Sequence, residues 1–256
     1  NTFIAAITLI FVYKRVGDFK EINKEFFWLI FFVSSCGYAF MVNGVRQSVA
    51  IAIFFYATRY IYSKNFIKYS IFILLASSIH FSALLLFPIY LIDKIKITPL
   101  IGVIIFTLSI ILSFLHLPDK FFTVILSTFG YSNLVESGIG SVPRNTGLGI
   151  IARIIFFYAI YFLSFCKRQK VGMFFTFFVI ASSWSFLFME HMAIARVYLY
   201  FEIFSIVYIL TLIKLRFSGL SYGIALMFYL IFNLTLFQAT VSNPKFNLEY
   251  NCICNR

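Results

Sequence analysis

Charge is what this chain has least of. Asp, Glu, Lys and Arg make up 12% of its 256 residues, about half the share usual in soluble domains. Acid is scarcer than base, with nine Asp and Glu against 21 Lys and Arg, so the net charge is +12. Hydrophobic residues reach 62% and the mean hydropathy is +0.95. A water-soluble fold of this composition would expose large apolar patches, which excludes an ordinary soluble domain. The apolar residues come in long runs rather than in the two-residue alternation of a membrane barrel. Helices that satisfy their own backbone are then the workable way to cross a bilayer.

Other absences narrow the chemistry. There is no P-loop, no G-x-G-x-x-G after a strand, no H-E-x-x-H and no paired Asp-x-Asp. This excludes an ATP-driven transporter on this chain. A transferase using nucleotide sugars would want a soluble catalytic domain, and none is visible. Of four cysteines, Cys36 and Cys166 lie inside apolar runs and read as small core residues. Cys252 and Cys254 form a C-x-C in a polar tail without a matching ligand set. We therefore expect no metal site and no cofactor. No signal peptide is recognisable.

What is present is a series of apolar runs: 2–13, 26–42, 48–62, 66–92, 99–117, 148–165, 171–189, 196–213 and 219–241. The expected fold is all-α, a polytopic transmembrane helix bundle of about nine to ten spans or half-spans. Residues 1–256 read as one integral membrane domain. The first run is too short for a full span, so we expect the chain to be truncated at its N-terminus. The connections are short except for 118–147, an expected outer loop containing Asp119, Lys120, Glu136, Pro143 and Arg144. Residues 242–256 form a polar tail.

Basic clusters orient the bundle. Lys14-Arg15 with Lys20 and Lys24, Lys64 and Lys68, Lys94 and Lys96, Lys167-Arg168 with Lys170, and Lys214 with Arg216 all read as cytoplasmic. Because the charge lies in loops beside apolar runs, nucleic acid is not an expected partner. Passing from Lys64/Lys68 to Lys94/Lys96 takes an even number of crossings, yet 66–92 looks like one span. A helical hairpin resolves this, with 66–79 running out, 82–92 returning and a turn near His80-Phe81-Ser82. Both arms are short, so they must tilt, thin the bilayer or stop part way.

With that topology seven cations face outward, and five of them are arginine: Arg46, Arg144, Arg153, Arg196 and Arg256, beside Lys120 and Lys245. Arginine offers phosphate a planar bidentate fork that lysine lacks, so this bias suggests a phosphate-bearing ligand. Arg46, Arg144 and Arg196 lie at helix mouths. Arg153 sits about 7 Å inside its helix, where it serves the ligand or pairs with Glu202. Arg256 and Lys245 read as lipid-facing cations.

The three histidines, His80, His116 and His191, also fall at outer ends. His116 reads as an interhelical hydrogen-bonding residue. His80 sits where the hairpin turns. His191 follows Glu190, a pair suited to proton transfer and equally readable as a solvated turn.

Three segments together resemble a known family: Asn43-Gly44-Val45-Arg46-Gln47-Ser48-Val49-Ala50, then Tyr60-Ile61-Tyr62-Ser63-Lys64, then Ala76-Ser77-Ser78-Ile79-His80-Phe81-Ser82-Ala83. They resemble the EpsG-like branch of the Wzy polymerases, which carries an N-x-x-R-Q-x-x-A element, a basic turn and an A-x-x-x-H-x-S-A element. Arg196-Val197-Tyr198-Leu199-Tyr200-Phe201 is similar to an Arg-aromatic segment of the family. The match covers residues 43–96 well and the rest by hydropathy.

The resemblance implies a GT-C-like polymerase/ligase architecture in the bacterial inner membrane, with the active site facing the periplasm and 118–147 as a periplasmic loop. It implies polymerisation of polyprenyl-diphosphate-linked oligosaccharide repeats without metal or nucleotide. His80, Glu190 and His191 would be catalytic, and Arg46, Arg144, Arg153 and Arg196 would bind diphosphate. Expected partners are the lipid-linked oligosaccharide, membrane lipid, a chain-length regulator and a flippase. The rivals are an O-antigen ligase, a flippase or secondary transporter, and a non-enzymatic scaffold.

Overall fold

The helix starts are written in the local sequence. Asn23 Oδ1 accepts from the Phe26 amide at 3.0 Å, and Asn65 Oδ1 does the same for Lys68 at 3.0 Å. Thr98 Oγ1 accepts from Ile101 at 3.3 Å, with Pro99 in the first turn. Each side-chain oxygen satisfies an amide that has no intrahelical partner. In a computed structural model, residues 2–37, 41, 44–118, 120–121, 148–165, 172–189, 194 and 196–241 are described. They form α1 (Thr2–Val16), α2 (Lys24–Val33), α3 (Val45–Ala57), α4 (Arg59–Tyr62) and α5 (Phe66–Ile79). A 3₁₀ helix (Phe81–Lys94) follows, then α6 (Pro99–Phe114), α7 (Leu148–Phe165) and α8 (Met173–Leu187). A short 3₁₀ turn (Arg196–Tyr198) leads into α9 (Leu199–Arg216) and α10 (Gly219–Val241).

The fold is all-α, as the sequence implied, and no strand occurs among the described residues. Among them, Leu148–Phe165, Arg196–Arg216 and Gly219–Gln238 are long and apolar enough to cross a membrane. Phe66–Ile79, Pro99–Phe114 and Met173–Leu187 are apolar but shorter. The outward faces are greasy. Leu148 is 83% exposed and Leu220 82%, and Ile151, Ile155, Phe162, Ile224 and Phe228 are exposed on the same helices. Such stripes are costly in water and ordinary against lipid. The chain is a membrane protein.

The chain divides into two compact units, residues 1–90 with 206–256, and residues 91–205. In the first, α3 is the core. Val49 to Phe55 and Ala57 are all buried, and α3 packs against α1 and α5. Tyr56 meets Phe11 of α1 at 5.5 Å and Phe72 of α5 at 5.2 Å between ring centroids. Helix α2 packs on α10 and stacks Phe27 on Phe55.

The 66–92 run does fold as a hairpin. Helix α5 ends at Ile79, His80 is extended (φ −144°, ψ 109°), and the chain returns as the 3₁₀ helix. The buried Tyr69 hydroxyl donates to the Leu86 carbonyl at 2.6 Å, and Tyr90 packs on Phe66 and Tyr69, so the arms are antiparallel. The 3₁₀ form answers the problem of the short arm. Fourteen residues at a rise of about 2.0 Å reach roughly 28 Å, against about 21 Å as an α-helix. That is close to the hydrocarbon thickness of about 30 Å.

One run departs from expectation. The 26–42 segment is not one helix: α2 stops at Val33, and Ser34 turns extended. Its hydroxyl donates back to the Phe31 carbonyl at 2.8 Å. Gly37 then approaches so closely that a Cβ there would fall 1.8 Å from the Phe31 carbonyl oxygen.

In the second unit α6 packs against α7 and α8. Phe106 is fully buried among Phe157, Tyr158, Tyr161 and Phe186. Tyr161 and Ser182 share a 2.8 Å hydrogen bond. Gly102 is the point of closest approach, because an added Cβ would lie 2.9 Å from Tyr161 Cε1 and 3.0 Å from Val179 Cγ2. Gly102→Leu is expected to destabilise the protein by about 1–3 kcal/mol through overpacking. A lower melting temperature in detergent than for Gly223→Leu, where a Cβ meets open space, checks this.

Candidate functional site

Arg46 is the second residue of α3 and is exposed, while the next residue, Gln47, is buried. Gly44 precedes the helix and offers no side-chain cap. A cation in the first turn opposes the helix dipole. The first turn of a helix favours anions, so a guanidinium there adds to that preference. The local placement suits an anion better than it suits helix stability.

His80 caps α5. Its amide donates to Ala76 at 2.9 Å, and its carbonyl accepts from Ala83 at 3.0 Å, so it joins the two arms of the hairpin. The side chain is half-buried. Helices α3 and α5 are linked by the short α4 turn and run antiparallel, with Tyr56 and Tyr60 both on Phe72. Carrying that register along the pair puts Arg46 and His80 at its same end. Two of the three segments that carried the family resemblance, those of Arg46 and His80, therefore lie at one end of this helix pair, although 34 positions separate these two residues in sequence.

In the second unit Arg153 and Arg196 approach one end of α8. The Arg153 guanidinium lies over the ring of Phe186, 5.5 Å from its centroid, and the side chain is half-buried. Trp184 donates its indole N–H to the Ile194 carbonyl at 2.8 Å, anchoring the segment that leads to the exposed Arg196. Both arginines thus stand by the last turn of α8. Glu202 is half-buried in the first turn of α9. Arg144, Glu190, His191 and nearly all of the 118–147 loop lie outside the described residues, as does the 242–256 tail.

His116 has a local explanation. It takes a left-handed backbone (φ 54°) just past α6, and its amide donates to Ser113 at 3.0 Å. Residues in this conformation close helix C-termini.

One cluster had no signal in the sequence beyond topology. At the polar end of α1, Asp18 accepts from Arg15 Nη1 at 2.8 Å and from Arg59 Nη2 at 3.0 Å. Burial pushes the Arg15 guanidinium below the ordinary arginine pKa, against the hydrogen bond and charge of Asp18. The basic residues were legible as an orientation signal, but the ion pair with a residue 41 positions away was not.

Comparison with curated proteins and with solved structures finds no match. A family model does match, over residues 1–252, and includes every segment discussed above up to the polar tail. Membrane helices, the Arg46 and His80 elements at one end of a helix pair, and a match along nearly the whole sequence lead to one assignment: the chain belongs to the EpsG family.

Proposed function

We propose that this protein polymerises polyprenyl-diphosphate-linked oligosaccharide repeats by glycosyl transfer at the periplasmic face of the bacterial inner membrane. The observation that carries the reading is the common end of α3 and α5 at which Arg46 and His80 stand. In the proposed reaction, a hydroxyl on the non-reducing-end sugar of one lipid-linked repeat attacks the anomeric carbon of the growing chain. The bond from that carbon to the lipid diphosphate breaks, and its electron pair leaves on the phosphate oxygen. His80 takes the hydroxyl proton. Arg46 holds the diphosphate and stabilises the charge it gains, and Arg144, Arg153 and Arg196 are the further arginines that the sequence reading assigns to diphosphate. Glu190 and His191 support the proton transfer. Diphosphate is already a good leaving group, so the step needs neither a metal nor a nucleotide.

Purified protein reconstituted with synthetic lipid-diphosphate repeats should produce a ladder of products without added metal or nucleotide. Transfer of one preformed polymer to a lipid A core acceptor, with no ladder, would instead identify a ligase. Movement of repeats across the vesicle without bond formation would identify a flippase.

A further inference from the structure

The buried cation at the end of α1 is left half satisfied. Arg15 is 4% exposed, and its Nη1 is bonded to Asp18. Its Nε and Nη2 are buried and have no hydrogen-bond partner among the described residues. Those two nitrogens form one edge of the planar guanidinium, with their N–H bonds parallel, and this edge binds two oxygens of a phosphate or carboxylate together. A charged donor pair buried without an acceptor is unfavourable, and an oxyanion removes the deficit.

The surroundings favour the same ligand. Asp18 is shared between two guanidiniums, one oxygen to each, so the Arg15–Asp18–Arg59 cluster carries one unbalanced positive charge. Rings flank it: Phe19 lies 4.7 Å and Tyr62 5.8 Å from the Arg15 guanidinium carbon, and Tyr56 lies 4.8 Å from that of Arg59. The cluster begins where the apolar run of α1 gives way to Lys14, Arg15 and Gly17. Aromatic and basic residues at such a boundary stand at the depth of lipid headgroups. Tyr62, which flanks the guanidinium, is half exposed.

We propose that Arg15, with Arg59, forms a phosphate-binding site in which the anion takes the Nε–Nη2 edge of Arg15 while Asp18 stays on Nη1. The site is separate from the one containing Arg46. Arg46 and Arg59 lie 13 residues apart, near opposite ends of α3, which is about 20 Å of helix. It rests on Arg15, Asp18 and Arg59 alone and not on the polymerase reading.

The test is thermal unfolding of the purified protein in phosphate-free detergent. Inorganic phosphate is added in one arm and phosphatidylglycerol in another, with phosphatidylcholine as the lipid control. The melting temperature of the unaltered protein should rise. A rise with inorganic phosphate identifies a free phosphate ligand, and a rise with phosphatidylglycerol alone identifies an anionic headgroup. Arg15→Lys keeps the charge but loses the parallel edge, so its apparent affinity should fall about tenfold or more. Asp18→Asn removes the neighbouring negative charge, raising the net charge of the cluster, and should bind as well or more tightly. Asp18→Asn also decides the matter if Arg15→Lys does not fold. The proposal is overturned if neither probe shifts the unaltered protein, if Arg15→Lys responds undiminished, or if Asp18→Asn loses the response.

Discussion

Arg46→Ala is expected to leave the protein in the membrane and to abolish long glycan chains. The helix should survive, because Arg46 is exposed and no part of the α3 core depends on it. Removing a cation from the first turn even relieves a small conflict with the helix dipole. The loss should fall on the reaction. Removing one preorganised donor to a developing oxyanion typically lowers a rate by about 10²–10³. Arg46→Lys should recover part of that rate, since the charge returns without the bidentate fork. Product ladders from equal amounts of membrane-inserted protein measure this. Equal chain lengths for Arg46→Ala and the unaltered protein would remove Arg46 from the site.

The second large effect is expected at His80. His80→Gln keeps a polar side chain at the hairpin turn but cannot accept and carry the proton. A positioned general base contributes about 10²–10⁴ to a rate, so the turnover number should fall by that order while the Michaelis constant changes little. The control lies in the hairpin itself. The turn is held by the His80 backbone, through Ala76 and Ala83, and by the Tyr69 hydroxyl on Leu86. The melting temperature of His80→Gln should therefore stay near that of the unaltered protein. Tyr69→Phe should lower it by an amount corresponding to about 0.6–1.7 kcal/mol, the range for hydrogen bonds inside membrane proteins. A fall in both activity and melting temperature for His80→Gln would assign His80 to structure instead.

Arg46 and His80 stand out in the sequence because they sit in short motifs and at the ends of apolar runs. The hairpin was legible for another reason. Basic residues on both sides of 66–92 demanded an even number of crossings, and two antiparallel arms meet that demand. The 3₁₀ winding of the second arm was not legible. Residues 81–94 are mostly apolar on every face, so no stripe distinguishes three residues per turn from 3.6. The end of α2 at Val33 was hidden similarly. Cys36 and Gly37 sit in an apolar run, and hydropathy does not register that Gly37 must pass against the Phe31 backbone. The Arg15–Asp18–Arg59 cluster depends on α1 and α3 packing side by side, which no local pattern announces.

The common end of α3 and α5 is the point on which the mechanism depends, and thiol labelling from outside the cell tests it most directly. In a cysteine-free background, single cysteines at positions 46, 82 and 64 would be exposed to a membrane-impermeant maleimide on intact, outer-membrane-permeabilised cells. The account predicts rapid labelling at 46 and 82 and none at 64 until the inner membrane is opened. Labelling of 46 and 82 from opposite sides of the inner membrane would contradict it.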